Sequence, residues 1–240
     1  YKTIFLITLI TSSYFLVTIS KFFMADINFA LARKLYSQND YSSSYQLISK
    51  SIRYDPKESI YYDLGSKIAA DIAVGLAQNQ HIEEANRFRD SAISLSQYAV
   101  YLNPAHTTIW RTRAGVFMNL AVINPQDYQV AANALLQNAT LAPTDPKVPY
   151  NQAILQARLK NYSQSIAYLN HALELKPNYN EALYARALYQ YLYAVDQTNQ
   201  QVKDLTILNS AITDLTKYID ITNSHHLNSE LDSWSQLLKP

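Results

Sequence analysis

The hydrophobic pattern divides the chain into two regimes. Residues Thr3 to Ser20 carry no charged side chain, and with Phe22, Phe23 and Met24 the apolar stretch reaches the roughly 20 residues that span a bilayer's hydrocarbon. From Ala25 onward, apolar positions recur every three or four residues instead. Ala85, Phe88, Ala92, Leu95, Ala99 and Leu102 form one such stripe, and Leu205, Leu208, Ile212, Leu215 and Ile219 form another. This period predicts α-helices, each with one face seeking a neighbour. Leu227, Leu231, Trp234 and Leu238 continue it beyond a polar turn at Asn223-Ser224-His225-His226, as a terminal capping helix should.

The helices repeat. Four prolines follow short helical runs at matching places, Pro56, Pro104, Pro143 and Pro177, with separations of 48, 39 and 34 residues. Counting back from each, small residues stand five before (Ser51, Ala99, Asn138, Ala172) and twelve before (Ser44, Ala92, Ala131, Ser165). Eight before stand Ile48, Ser96, Leu135 and Leu169, where Ser96 is the misfit and Leu95 can supply the bulk. Counting forward, a bulky residue comes six later (Tyr62, Trp110, Pro149, Leu183) and a small one ten later (Ser66, Ala114, Ala153, Ala187). In the first unit Leu31 and Ala32 take these places. Small residues let paired helix backbones approach, and large ones fill the adjoining gaps.

Residues 25–223 resemble the tetratricopeptide repeat family on this pattern, most closely around Pro146 to Pro177 with its NYSQSIAYLNHALELKP run. The 34-residue spacing is that family's unit length. The resemblance implies an all-α, TPR-like α-solenoid: a right-handed superhelix of antiparallel helix pairs, in about five irregular units, closed by a capping helix over residues 224–240. Longer separations place insertions between Pro56 and Pro104, between Pro104 and Pro143, and after Ala187.

Three readings compete for residues 1–24: a transmembrane helix, a signal peptide and a buried helix of a soluble domain. A signal peptide calls for a basic start, a shorter apolar core and a small-x-small cleavage site, whereas the Phe22-Phe23-Met24-Ala25 junction offers only Ala25. The transmembrane helix fits best, contacting the membrane through residues 3–24. The start at Tyr1 suggests a piece of a longer polypeptide. Lys2 on one side, against Lys21, Arg33 and Lys34 on the other, does not set an orientation.

Composition narrows the function. Three glycines in 240 residues, all isolated, leave no phosphate-cradling loop and no nucleophile elbow. With 20 Lys and Arg against 19 Asp and Glu and no charge run, a nucleic-acid partner is not expected. The chain has no cysteine, and His81 before Glu83 and Glu84 lacks the second histidine of a zinc motif. No catalytic, cofactor-binding or metal site is therefore expected. His225-His226 reads as a solvated turn, and Glu83 and Glu84 as charges complementing a helix N-terminus.

A repeat stack offers a groove lined by the first helix of each unit. Projecting those helices inward nominates Arg33, Tyr36, Asp63, Lys67, Arg111, Tyr150, Arg158, Tyr184 and Tyr191 as a binding face for a protein or peptide. Each tyrosine also has the simpler reading of filler between units. The junction of a membrane helix with irregular, Tyr/Asn/Gln-rich repeats resembles, in arrangement only, the C-terminal part of bacterial O-antigen ligase/polymerase-like membrane proteins. That resemblance implies an extracytoplasmic repeat domain and, in a glycosyltransferase parent, a glycan as a further partner, with catalytic residues outside this chain. The two function classes are thus a membrane-tethered interaction scaffold and an accessory domain of a membrane glycosyltransferase.

Overall fold

The computed structural model describes residues 1–238, the side chain of Lys2 excepted. Among these residues it contains eleven α-helices, no strand beyond one isolated bridge, and no cis peptide. The helices are α1 (Lys2–Ser37), α2 (Tyr41–Tyr54), α3 (Ser59–Gln78), α4 (Ile82–Leu102), α5 (Thr107–Leu120) and α6 (Asp127–Leu141). They continue as α7 (Lys147–Arg158), α8 (Tyr162–Leu175), α9 (Asn180–Ala194), α10 (Leu205–Thr222) and α11 (Asn228–Gln236), the last preceded by a single 3₁₀ turn at His225–Leu227. The chain forms two compact units, Tyr1–Ala134 and Leu135–Pro240, whose division falls within α6.

Helix α1 runs without interruption through the expected boundary at residue 24, because nothing in Lys21-Phe22-Phe23-Met24-Ala25-Asp26 breaks a helix. Its first half stands apart from the rest of the molecule. From Thr3 to Met24 every side chain is exposed except the half-buried Thr18, and burial begins at Ala25. Segment Thr3–Ser37 is long and apolar enough to cross a membrane by length and composition.

Pairs α1/α2 and α3/α4 in the first unit, and α7/α8 and α9/α10 in the second, pack against each other. The small residues of the repeat pattern lie in the interior of both units. Ser44, Ser51, Ser66, Ala92, Ala99, Ala114, Ala131, Asn138, Ala153, Ser165, Ala172 and Ala187 are all buried. Three of the serines also bond across the pair: Ser44 Oγ donates to the Ala32 carbonyl at 2.8 Å, Ser51 Oγ to Ala25 at 2.9 Å, and Ser165 Oγ to Ala153 at 2.9 Å. A hydroxyl buried against a neighbouring backbone is tolerated because it finds this acceptor.

Two positions differ from the pattern read in the sequence. In the first unit Leu31 is exposed, and the place four before Ala32 is taken by Asn28, buried with its amide donating to the Met24 carbonyl at 2.6 Å. At Ser96 the missing bulk is supplied in part by Arg113, whose guanidinium donates to Ser96 Oγ at 3.0 Å and lies 4.8 Å from the Phe117 ring centroid. Leu95 packs with Tyr62, Ala99, Val100 and Ile109, and its Cδ1 faces Gly65 on α3. Burial lowers the Arg113 pKa.

The insertions also take definite forms. Between Pro56 and Pro104 both helices are lengthened, to 20 and 21 residues in α3 and α4, against 12 and 14 in α7 and α8. After Ala187 the extra residues form the connection between α9 and α10, pinned by a Val195–Val202 bridge and a Lys203–Asp196 ion pair at 3.2 Å. The cap is tied down by Trp234, buried with Ala187, Ala211, Leu215 and Ile219, and by Leu227 and Leu231 around them.

Candidate functional site

In the first unit, hydrogen bonds hold the leading helices of three successive pairs parallel. The Tyr61 hydroxyl on α3 donates to Asp26 Oδ1 on α1 at 2.6 Å, and the Tyr36 hydroxyl on α1 donates to Asp71 Oδ2 on α3 at 2.5 Å. The offset is 35 residues in both, so the two helices run in register. Between α3 and α5 the same role falls to Thr112, donating to Asp63 Oδ2 at 3.1 Å, and to Asn119, donating to Asp71 Oδ1 at 3.0 Å. Asp71 is thereby gripped on both oxygens.

These bonds create a polar face. On α3 the residues Asp63, Lys67 and Asp71 follow one another at intervals of four, a single helical stripe. The exposed Lys67 ammonium lies 5.0 Å from the Tyr36 ring centroid, a cation–π distance. Arg111 on α5 donates to Thr108 Oγ1 at 3.1 Å and, with Lys67, acts electrostatically on Asp63. Burial pushes the Asp63 carboxyl up to about 7, more than Thr112, Lys67 and Arg111 together pull it down. The Tyr36 hydroxyl is also pushed up, first by burial and then by its bond to Asp71. An open depression of about 630 Å³, lined in part by Asp71, Ile72, Tyr41 and Asn79, continues this face toward the α1–α2 and α3–α4 turns.

Of the nine residues nominated by sequence, Tyr36, Asp63, Lys67 and Arg111 thus come together. Arg33 is exposed and lies 5.7 Å from the Phe29 ring centroid on its own helix. The other four belong to the second unit, where the tyrosines are engaged in packing. Tyr150 meets the Tyr179 ring at 5.2 Å and joins the core around Ala153 and Leu169. Tyr184 meets Tyr218 at 5.0 Å, and Tyr191 stacks flat on Trp234 at 4.4 Å with its hydroxyl donating to Gln200 Oε1 at 3.0 Å. Burial raises the pKa of all three. Arg158 is exposed near Tyr189, on whose hydroxyl its charge acts.

Sequence reasoning missed Asp71, Thr112 and Asn119. The first was within reach, since it extends the Asp63–Lys67 stripe by one step; the partners on α5 depend on the offset between helices, which no local pattern reveals. Together these groups set the Lys67 cation between two hydrogen-bonded carboxyls along one line of α3. Among the described residues, no group of three His, Asp or Glu side chains comes together as a metal would require.

The repeated helix pairs, with small residues at each crossing, define the fold of tetratricopeptide-repeat proteins, and solved structures bear this out. The chain is similar to TTC0263, a thermophilic TPR protein in Thermus thermophilus, with a TM-score of 0.65 at 15% identity over 89% of this chain and 100% of that one. It is similar to PilW, a widely conserved type IV pilus biogenesis factor, with a TM-score of 0.58 at 15% identity over 89% of this chain and 87% of that one. Yeast Tom70 gives 0.61 at 14% identity over 88% of this chain, which corresponds to 39% of the Tom70 chain. No family model and no curated protein matches the chain. At these identities the likeness establishes the fold alone.

Proposed function

We propose that the chain is a membrane-tethered TPR scaffold. In this reading, residues 3–24 cross the bilayer, and the polar face of α1, α3 and α5 holds an extended segment of a protein partner. The observation that carries the reading is the exposure of the apolar stretch from Thr3 to Met24, Thr18 excepted, in a molecule whose other helices are packed. Its 22 residues make about 33 Å of helix, enough for the hydrocarbon thickness of a bilayer. Leaving that surface in water would be costly, at about 25 cal/mol for each Å² of apolar area.

The binding face is supported by the proximity of Tyr36, Asp63, Lys67 and Arg111 on the leading helices α1, α3 and α5. A photo-crosslinker placed at Lys67 should capture a discrete partner in cells, and Arg111→Ala should reduce that capture. The same crosslinker at Glu83, exposed near the start of α4, should not capture it. Equal capture from both positions would refute the face. The extracytoplasmic placement of the repeats belongs to this reading through the O-antigen ligase resemblance, and protease added to intact cells tests it. The accessory-domain alternative rests on the arrangement of apolar helix and repeats, and no family model supports it.

A further inference from the structure

We infer that one end of the first unit is itself a membrane-contacting rim: the turns before α3 and α5, with Tyr54, Tyr98 and Tyr101, sit in the lipid headgroup layer. The inference rests on the reading that residues 3–24 span the bilayer and extends it to a surface outside that span.

The register of the leading helices carries the argument. With Tyr61 beside Asp26 and Tyr36 beside Asp71, the first residue of α3, Ser59, lies level with Met24 of α1. With Thr112 beside Asp63 and Asn119 beside Asp71, the first residue of α5, Thr107, lies level with the start of α3. Helices α1, α3 and α5 therefore begin their packed lengths in one layer, the layer in which the apolar stretch ends. The turns at 55–58 and 103–106 project from that layer toward the level of Lys21 and Phe22.

The side chains there suit a headgroup region. Tyr101 is 73% exposed, Tyr98 is 42% exposed, and their rings lie 5.6 Å apart. Tyr98 in turn lies 4.7 Å from Tyr62, whose hydroxyl donates to the Pro56 carbonyl at 3.1 Å, so the pair is fixed to the turn before α3. Tyr54 shares an open depression with Leu16, Val17, Lys21 and Met24, which makes the rim continuous with the apolar helix. Phe22, Phe23 and Ile60 are exposed at the same level, and so are the cations Lys21, Arg53 and Lys57. Tyrosine concentrates at membrane–water boundaries because its ring favours the apolar side and its hydroxyl the wet side. Lysine and arginine there reach lipid phosphates.

The absence of cysteine makes the test direct. Single variants Ser12→Cys, Lys57→Cys, Tyr101→Cys and Gln78→Cys, all at exposed sites, are spin-labelled in the full chain. They are then reconstituted into vesicles of phosphatidylcholine and phosphatidylglycerol. Collision rates with lipid-soluble oxygen and with a water-soluble nickel complex give the depth of each label. The expected order is position 12 in the acyl region, positions 57 and 101 at the headgroups, and position 78, at the far end of α3, in water. If position 12 is in lipid while 57 and 101 are as nickel-accessible as 78, the rim is overturned and would suit a protein partner, with the span intact. If position 12 is itself in water, the spanning reading fails and the rim fails with it.

Discussion

The Thr112 hydroxyl on α5 donates to the Asp63 carboxylate on α3 at 3.1 Å, yet this bond does not offset the burial of the carboxyl, whose pKa rises from 3.8 to about 7. Between those values the folded state holds a proton that the unfolded chain has released. The stabilising effect is complete below about pH 4 and is lost as pH rises through 7. The slope from this group reaches about 1.4 kcal/mol per pH unit. Asp63→Asn keeps an acceptor for Thr112 and removes the titration. It should raise stability at pH 8 and flatten the stability profile between pH 4 and 7, measured by urea unfolding from pH 4 to pH 8. A wild-type slope retained in the variant would contradict the assignment.

The crossings within each helix pair should be intolerant of bulk. Ala172 is fully buried, and Ser165 is buried with its hydroxyl on the Ala153 carbonyl. Ala172→Leu should destabilise the protein by about 1–3 kcal/mol through overpacking. Ser165→Ala removes one hydrogen bond and should cost about 1 kcal/mol. Thermal denaturation of both variants separates the two effects; an unchanged midpoint for Ala172→Leu would count against the crossing geometry.

Four turns inside the pairs hold non-glycine residues in the left-handed region: Asn39 at φ 62°, Gln80 at φ 65°, Lys160 at φ 59° and Gln200 at φ 57°. A side chain there costs roughly 1–2 kcal/mol, less for asparagine. Gln80→Gly and Lys160→Gly should each stabilise the fold, by up to about 1 kcal/mol after allowing for glycine's freedom in the unfolded chain. Asn39→Gly should gain less. A loss of stability at Gln80 and Lys160 would show that those side chains contribute contacts outweighing the strain.

In the second unit Arg186 meets Asp214 through two bonds, Nε to Oδ2 at 2.7 Å and Nη2 to Oδ1 at 2.8 Å, with Asp214 buried. Removing one partner of such a pair strands the other's charge. Arg186→Ala should therefore cost about 3–5 kcal/mol, whereas the double change Arg186→Met with Asp214→Leu should cost much less. Chemical denaturation of the single and double variants gives the comparison.

The helical units were legible because their signals are local: a small residue at a fixed distance from a proline survives the longer α3 and α4. The four prolines of the pattern mark only the passage from one pair to the next. Inside pairs, Asn39, Gln80, Lys160 and Gln200 take the left-handed conformation with no glycine to mark it. Asn28 and Ser96 were hard to place because each is polar where the pattern wants bulk, and the compensation at Ser96 comes from Arg113 on another helix. The tyrosines were ambiguous for a physical reason. A ring with a polar tip suits both an open face and a gap between helices, and only the neighbours decide, Lys67 and Asp71 for Tyr36, Trp234 for Tyr191.

The tether is tested most directly by flotation of the full chain with lipid vesicles, followed by extraction at alkaline pH. The wild-type protein should float and resist extraction. Leu9→Arg with Leu16→Arg, both exposed positions, should leave it in the aqueous fraction with its helix content and repeat stability unchanged. Wild-type protein that remains in the aqueous fraction, or that alkaline pH strips from the vesicles, would contradict the account.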